Sequence, residues 1–542
     1  MSSVTTPSAA QDQRTAPAEG RWLVLAVIAV AQLMVVLDAT IVNIALPSAQ
    51  QALGFSNGDR QWVVTAYALS FGSLLLVGGR LGDMFSRKRV FITGLVGFAV
   101  ASAIGGAAGS FVVLVTARAL QGAFGAVLAP SALGTLVRTF SDPRDRAKAF
   151  GVFGSVAAGG GAVGLILGGV LAEYLSWRWC LYVNLLFAAI AAAGALAYIR
   201  GDQPASRPRM DWPGAVLACV GLFAIVYGFS HAETAGWTAA LTLVSLVGGA
   251  VLIIGFVAAE RRVSHPLLPL RVIVDRARGG SYVAVGISGI AVFGTFLFLT
   301  FYLQGVRGDS PLTTGLLFLP MTACILISSN LSAVIHLGPR VLIAAGMLLG
   351  AGGMAYLTQV TVTSGYVSAV LPALLILGLG LGLIFAQAIN TATAGVARED
   401  SGVASALVNT MQQVGGSIGT SALSTIALSA TAAYLTAHHT SPLAPAIAAT
   451  HGYTIAFGVS AGLLGLGFIL AIVLLPSRRR LADLRDAGAA IPAVSGPPPA
   501  PAVPAIPARQ RAAEAIPVAL CSCSPVITHP VTASAERITG IR

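Results

Sequence analysis

Fourteen long apolar stretches constrain this chain more than any other feature. They fall near residues 22–46, 61–79, 90–108, 111–136, 148–172, 181–199, 213–230, 239–258, 280–303, 312–335, 341–360, 367–389, 402–430 and 453–475. A helix rises ~1.5 Å per residue, so about twenty residues match a hydrocarbon core ~30 Å thick. Lipid offers the backbone no hydrogen bonds, and a single-run segment escapes that penalty only as a helix. With 56% of residues hydrophobic and 10% charged, no water-soluble core could hide this much apolar sequence. The predicted fold class is an all-α polytopic membrane protein with 14 transmembrane helices.

The net charge of +12 could point to nucleic acid, but its distribution excludes that partner. Eighteen Lys/Arg lie in alternate loops, three (Arg60, Arg178, Arg307) in the others and ten in the tails, which leaves Arg118 alone inside a run. That asymmetry is the positive-inside bias, and it places both termini in the cytoplasm. The first apolar run is too long for a cleavable signal. Cys180, Cys219 and Cys324 lie in or at the edge of apolar runs, so disulfides are not expected, and Cys521-Ser-Cys523 alone is too little for a metal. His438, His439 and His451 read as surface residues of the last outer loop. Neither a metal nor a cofactor is expected.

An internal repeat divides the runs. Arg89-Val90-Phe91-Ile92-Thr93-Gly94 opens the third run and Arg340-Val341-Leu342-Ile343-Ala344-Ala345-Gly346 opens the eleventh. Aligning them pairs runs one to six with nine to fourteen. The expected organisation is a disordered N-terminal tail (1–20), a six-helix bundle (21–200), two inserted helices with their linker (201–278), a second six-helix bundle (279–475) and a Pro/Ala-rich disordered tail (476–542). Two such halves around a midplane cavity form a transporter architecture. No phosphate-binding loop accompanies it.

Asp38 is the one acid that the sequence places inside hydrocarbon, where a carboxylate is costly and usually functional. Counted along the helices, it lies ~24 Å from the inner end of the first run, and Arg118 ~10 Å from the outer end of the fourth. Both fall in the outer half, close enough in depth for an ion pair. No second buried acid is evident, which argues against a dicationic cargo. Asn43, Gln121, Gln387, Asn390, Asn409 and Gln412 are the amides that could line an otherwise apolar cavity, and each could equally bond across helices.

Several motifs carry a family resemblance. The loop Gly79-Arg80-Leu81-Gly82-Asp83-Met84-Phe85-Ser86-Arg87-Lys88-Arg89 resembles the signature loop of the major facilitator superfamily, with Ser86 at a usual glycine. Arg118-Ala119-Leu120-Gln121-Gly122 resembles its Arg-x-x-Gln-Gly pattern. The glycines Gly160, Gly164, Gly168 and Gly169 of the fifth run resemble the motif of its antiporters, with Leu165 at the proline position. Leu37-Asp38 through Leu46-Pro47, and Trp177-Arg178-Trp179 with Asn184, resemble the group of fourteen-helix drug:proton antiporters. The resemblance covers roughly 21–475.

It implies a plasma-membrane exporter of amphipathic drugs or antibiotics that works by alternating access and confers resistance or self-protection. Protons would be the coupling ion, Asp38 and Arg118 the coupling pair, and Gly79, Arg80, Asp83, Arg87, Lys88 and Arg89 the gating loop. No ATP, enzymatic activity or protein partner is implied, and a monomer is expected. The departure at Leu165 keeps open uptake of a small organic solute, and a non-transporting sensor on the same scaffold is the third reading.

Overall fold

The computed structural model describes residues 18–475 apart from 141, 200, 202–210, 264–265, 269, 336, 395, 397–400 and 438–442. The expected C-terminal tail, most of the N-terminal one, Cys521, Cys523, His438 and His439 lie outside the described residues. Within them there is no strand. The helices are α1 (Ala18–Leu53), α2 (Arg60–Met84), α3 (Arg87–Gly106), α4 (Phe111–Thr139), α5 (Pro143–Tyr174), α6 (Trp179–Tyr198), α7 (Trp212–Ala235), α8 (Ala240–Glu260), short α9 (Leu270–Val274), α10 (Arg276–Phe301), α11 (Pro311–Leu317), α12 (Leu319–Val334), α13 (Pro339–Leu357), α14 (Leu371–Thr393), α15 (Ser401–Ala437) and α16 (Ala444–Leu474). Single π turns, Tyr302–Val306 and Tyr366–Val370, lengthen α10 and lead into α14. Fourteen spans are long and apolar enough to cross a membrane, so this is a multi-pass membrane protein.

Helix starts follow from local chemistry. Asp142, Asp211, Asp275 and Ser310 each accept a hydrogen bond from a backbone N–H one turn into the helix they precede, and three of the four are followed by a proline in the first turn. A helix leaves its first amides unpaired, and a short acceptor side chain satisfies them. The tenth span breaks at Phe318, where Pro320 starts α12. The last span begins earlier than its apolar run, at Ala444, so His451 is on α16 rather than in a loop, with its ring 5.1 Å from that of Tyr434.

Helix pairing repeats between the halves. In the first, α1 packs on α4, α5 and α6, α2 and α3 pack on α4, and α3 on α6. In the second, α10 packs on α14, α15 and α16, α12 and α13 pack on α14, and α13 on α16. Helices α7 and α8 pack on each other, and α7 also touches α2 and α15. On α8 the exposed side chains Val244, Val247, Val251 and Ile254 recur at helical spacing, a stripe suited to lipid.

The halves meet mainly where α2 lies on α15 and α5 on α11. Several close polar contacts lie at the end that the Lys/Arg bias predicts to be extracellular, and α2 also meets α15 near mid-span, at Gly72 and Gln413. At the outer end Glu173 Oε2 accepts from Ser310 Oγ (2.6 Å) and Leu312 N (3.0 Å), and Gln304 Nε2 donates to the Ile44 carbonyl (3.0 Å). Farther in, Thr65 and Thr420 share a hydroxyl bond of 2.9 Å. Towards the opposite end, Gly151, Gly154 and Gly159 of α5 have no neighbour within 4 Å of where a Cβ would stand, and Asn390 and Asn409 are exposed.

Candidate functional site

The site grows from one close helix crossing. Gly122 lets α4 rest directly on α2, since a Cβ there would overlap the Tyr67 carbonyl oxygen. One turn earlier on α4, that approach carries Arg118 to the α2 backbone. Its Nε donates to the Val63 carbonyl (3.1 Å), and its guanidinium lies 4.4 Å from the centre of the Tyr67 ring. Its Nη1 donates to Asp38 Oδ2 (2.6 Å) and to Gln121 Oε1 (2.9 Å). Depth counted along the sequence was therefore a sufficient guide to this pairing.

Both charges are sealed in protein: Asp38 is 0% exposed and Arg118 2%. Asp38 Oδ1 accepts two further bonds, from Gln121 Nε2 (2.9 Å) and Asn184 Nδ2 (2.7 Å). Gln121 Nε2 and Asn184 Nδ2 also reach Ser102 Oγ, at 2.7 and 3.4 Å. The carboxylate thus takes three bonds drawn from α4 and α6, with Ser102 of α3 behind them. A buried charge persists only when paired and hydrogen-bonded in this way. A small apolar pocket lies beside Arg118, lined by Leu46 of α1, Val63 of α2, Leu114 of α4 and Leu181 of α6.

The six candidate cavity amides have different fates. Gln121 belongs to the Asp38 network. Gln387 is buried, with its amide donating to the Ser332 carbonyl (3.1 Å) and hydroxyl (3.2 Å) on α12. Asn43 donates to Ala39 of its own helix (2.9 Å). Asn390 and Asn409 are exposed and Gln412 is half-buried. The glycines of α5 form a real crossing. Cβ atoms at Gly160, Gly164 and Gly168 would press on Leu33, Val36, Thr40 and Ile41 of α1, whereas one at Gly169 would stand 2.6 Å from Leu312 Cα, in the other half. Leu165 lies at that same crossing, its carbonyl against Gly315.

The basic loop bonds to backbone carbonyls of α4, α6 and the linker after α8. Arg80 Nη2 donates to the Pro266 carbonyl in the linker (2.5 Å), Arg87 Nη1 to Gly134 of α4 (3.0 Å) and Lys88 Nζ to Leu196 of α6 (2.9 Å). Arg89 is exposed and Gly79 is half-buried, and the Asp83 side chain is outside the described set.

Two sequence expectations are corrected. Arg118 is not the sole arginine sealed in the helical body. Arg60, assigned to an outer loop, opens α2 and is 3% exposed, donating to Tyr453 Oη (3.3 Å) with its guanidinium 4.0 Å from the Phe301 ring centre. Asp38 is also not the sole buried acid, since Asp211 and Glu260 are 6% and 4% exposed. All three sit at the edge of an apolar run, where a linear reading cannot separate a wet end from a helix end covered by neighbours.

Arg60 ties α2 to α10 and α16 across the halves. A desolvated cation–π contact is worth up to about 2 kcal/mol. Arg60→Ala is expected to loosen this end, measured as a longer distance between spin labels on Asn57→Cys and Thr363→Cys in a background free of the native cysteines. An unchanged distance distribution would count against a clasp.

With this geometry in hand, comparison with known proteins places the chain. The family model described as Major Facilitator Superfamily matches residues 28–420, and the chain belongs to that superfamily. Among curated relatives, the puromycin resistance protein pur8 of Streptomyces alboniger is 48% identical over 482 residues, covering 88% of this chain and 96% of that protein. The cephamycin export protein CmcT of Amycolatopsis lactamdurans is 38% identical over 431 residues (78% and 88%). Among solved structures, the inward-facing, unoccupied bacterial homologue of the lysosomal transporter Spinster aligns with a TM-score of 0.59 at 14% identity, covering 87% of this chain and 99% of that one. A peptide transporter in complex with sulfate aligns at 0.61 and 16% (86% and 95%). These last two likenesses concern the fold.

Proposed function

We propose that this protein is a proton-coupled antiporter that exports an amphipathic antibiotic across the plasma membrane, with both termini in the cytoplasm. The observation that carries the reading is the Asp38–Arg118 pair, a titratable charge sealed inside the first half of a transporter whose relatives are named for antibiotic resistance and export. Polar contacts join the halves at the predicted outer end while Asn390 and Asn409 are exposed towards the other, which supports a conformation open to the cytoplasm and poised to load cargo.

In the cycle, a proton entering from outside neutralises Asp38 and weakens its hold on Arg118. That favours return to the inward-facing state, and release of the proton inside accompanies the outward half-cycle. One elementary charge moved through 100 mV is worth ~2.3 kcal/mol, enough for a concentration ratio of tens-fold without ATP. No bound cofactor takes part, and the protein acts as a monomer. The half-buried and exposed amides Gln412, Asn409 and Asn390 are the side chains available to a cargo from the cytoplasmic side. Asp211 and Glu260 lie at the inserted helices and not between the halves, so the cargo is neutral or weakly charged.

Uptake is the second reading, resting on Leu165 at the crossing of α5 with α11. Accumulation of a fluorescent substrate, or of puromycin, in expressing and non-expressing cells separates the two. Export lowers accumulation several-fold and a protonophore erases the difference, whereas higher accumulation in expressing cells establishes uptake. Equal accumulation across an antibiotic panel would leave the scaffold as a sensor and overturn the proposal.

A further inference from the structure

We propose that Asp211 and Glu260 hold one proton between them, forming a second proton site where the inserted helices end. Asp211 caps α7, its Oδ1 accepting from Gly214 N (2.9 Å), and Glu260 closes α8, its Oε2 accepting from Leu268 N (3.3 Å). Each carboxyl keeps one oxygen, Asp211 Oδ2 and Glu260 Oε1, that is buried without a hydrogen-bond partner. Both oxygens border the same small space, because a Cβ on Gly214 would overlap Asp211 Oδ2 and stand 3.2 Å from Glu260 Oε1.

Two ionised carboxylates cannot share such a space cheaply, since each raises the cost of ionising the other. Each buried acceptor without a partner would also forgo the hydrogen bond that water gave it in the unfolded chain. A single proton relieves the first of these costs. Carried on Glu260, it removes one of the two like charges and gives that carboxyl an O–H donor beside the space it shares with Asp211. Among the described residues, the charged groups that act on Glu260 are Asp211 on α7 and Arg80 on α2, and Arg261 and Arg262 beyond α8 are exposed. Arg80 does not displace the proton by pairing, because its bond goes to the Pro266 carbonyl.

The arrangement links proton occupancy to the basic loop. Glu260 holds the linker at Leu268, the linker presents Pro266, and Pro266 holds Arg80. Val77, Ala215 and Leu267 pack together beneath this chain of bonds. Loss of the proton would set two like charges against each other at the joint between α7 and α8 and loosen the linker from α2.

The test is thermal unfolding of the purified full-length protein from about pH 5 to about pH 9. The folded site keeps a proton that the unfolded chain has released, so stability falls as pH rises, with an unfolding constant growing by up to about tenfold per pH unit for one proton. Glu260→Gln supplies the donor permanently as an amide and should flatten that part of the slope. Asp211→Asn should flatten it as well, which keeps the test alive if either variant fails to fold. Labelling by dicyclohexylcarbodiimide, which requires a protonated carboxyl, should mark Glu260 in the wild type at neutral pH and fall several-fold in Asp211→Asn. Wild-type and variant pH profiles that run parallel would overturn the proposal. So would stabilisation of the wild type by sodium in place of protons, which would make this a metal-cation site.

Discussion

Asp38→Asn is expected to bring antibiotic accumulation in expressing cells to the level of non-expressing cells, with or without a protonophore. The carboxylate satisfies Gln121 and Asn184 with one oxygen and Arg118 with the other. An amide offers only one oxygen. Whichever way it is turned, its NH2 faces either the Arg118 guanidinium or the two amide donors. Removing one partner of a buried ion pair costs about 3–5 kcal/mol, because the remaining charge stays buried. Arg118 would retain the Val63 carbonyl and the Tyr67 ring, which anchor it without neutralising it. The variant should therefore be less stable and, on the proposed cycle, also unable to exchange the coupling proton. Membrane abundance measured beside accumulation separates these effects. Protonophore-sensitive export by Asp38→Asn at the wild-type level would remove Asp38 from the coupling role.

Gly315→Val is expected to have the second large effect, through the gate and not the charge. At this crossing the α11 backbone rests on the Leu165 carbonyl of α5, and Gly169 returns the contact to Leu312. A side chain at Gly315 meets a backbone oxygen, which no rotamer change can move aside. Overpacking of this kind typically costs about 1–3 kcal/mol, and here the cheapest relief is to part the halves at this end. A shift of 1.4 kcal/mol is about tenfold in the balance of two states, so much of the protein should rest with the end opened. Export should fall at least several-fold while membrane abundance holds. The Asn57–Thr363 spin-label distance should lengthen. Gly164→Val presses on Thr40 inside one half, so it should cost stability without lengthening that distance. Equal distances in both variants would separate the α5–α11 crossing from gating.

Much of this protein was legible from one dimension. Apolar run length specified fourteen spans, because a bilayer has a fixed thickness and leaves a backbone only one way to satisfy its hydrogen bonds. The Asp38–Arg118 pair was legible because both charges stand well inside apolar runs, where depth converts directly from residue count. The repeat opened by Arg89 and Arg340 anticipated the recurrence of the same helix pairings in the two halves.

What only the tertiary structure decided concerns the edges of helices and the partners of amides. Arg60, Asp211 and Glu260 sit where a run ends, and whether such a residue is wet depends on which neighbouring helix covers it. Gln121 and Gln387 could have faced a cargo or a neighbour, and the crossings of α4 with α1 and of α14 with α12 spent both on neighbours. Membrane insertion is additive along the chain and can be read from it. The fate of a polar group at a helix end or a helix crossing is a property of three-dimensional packing, which no local pattern records.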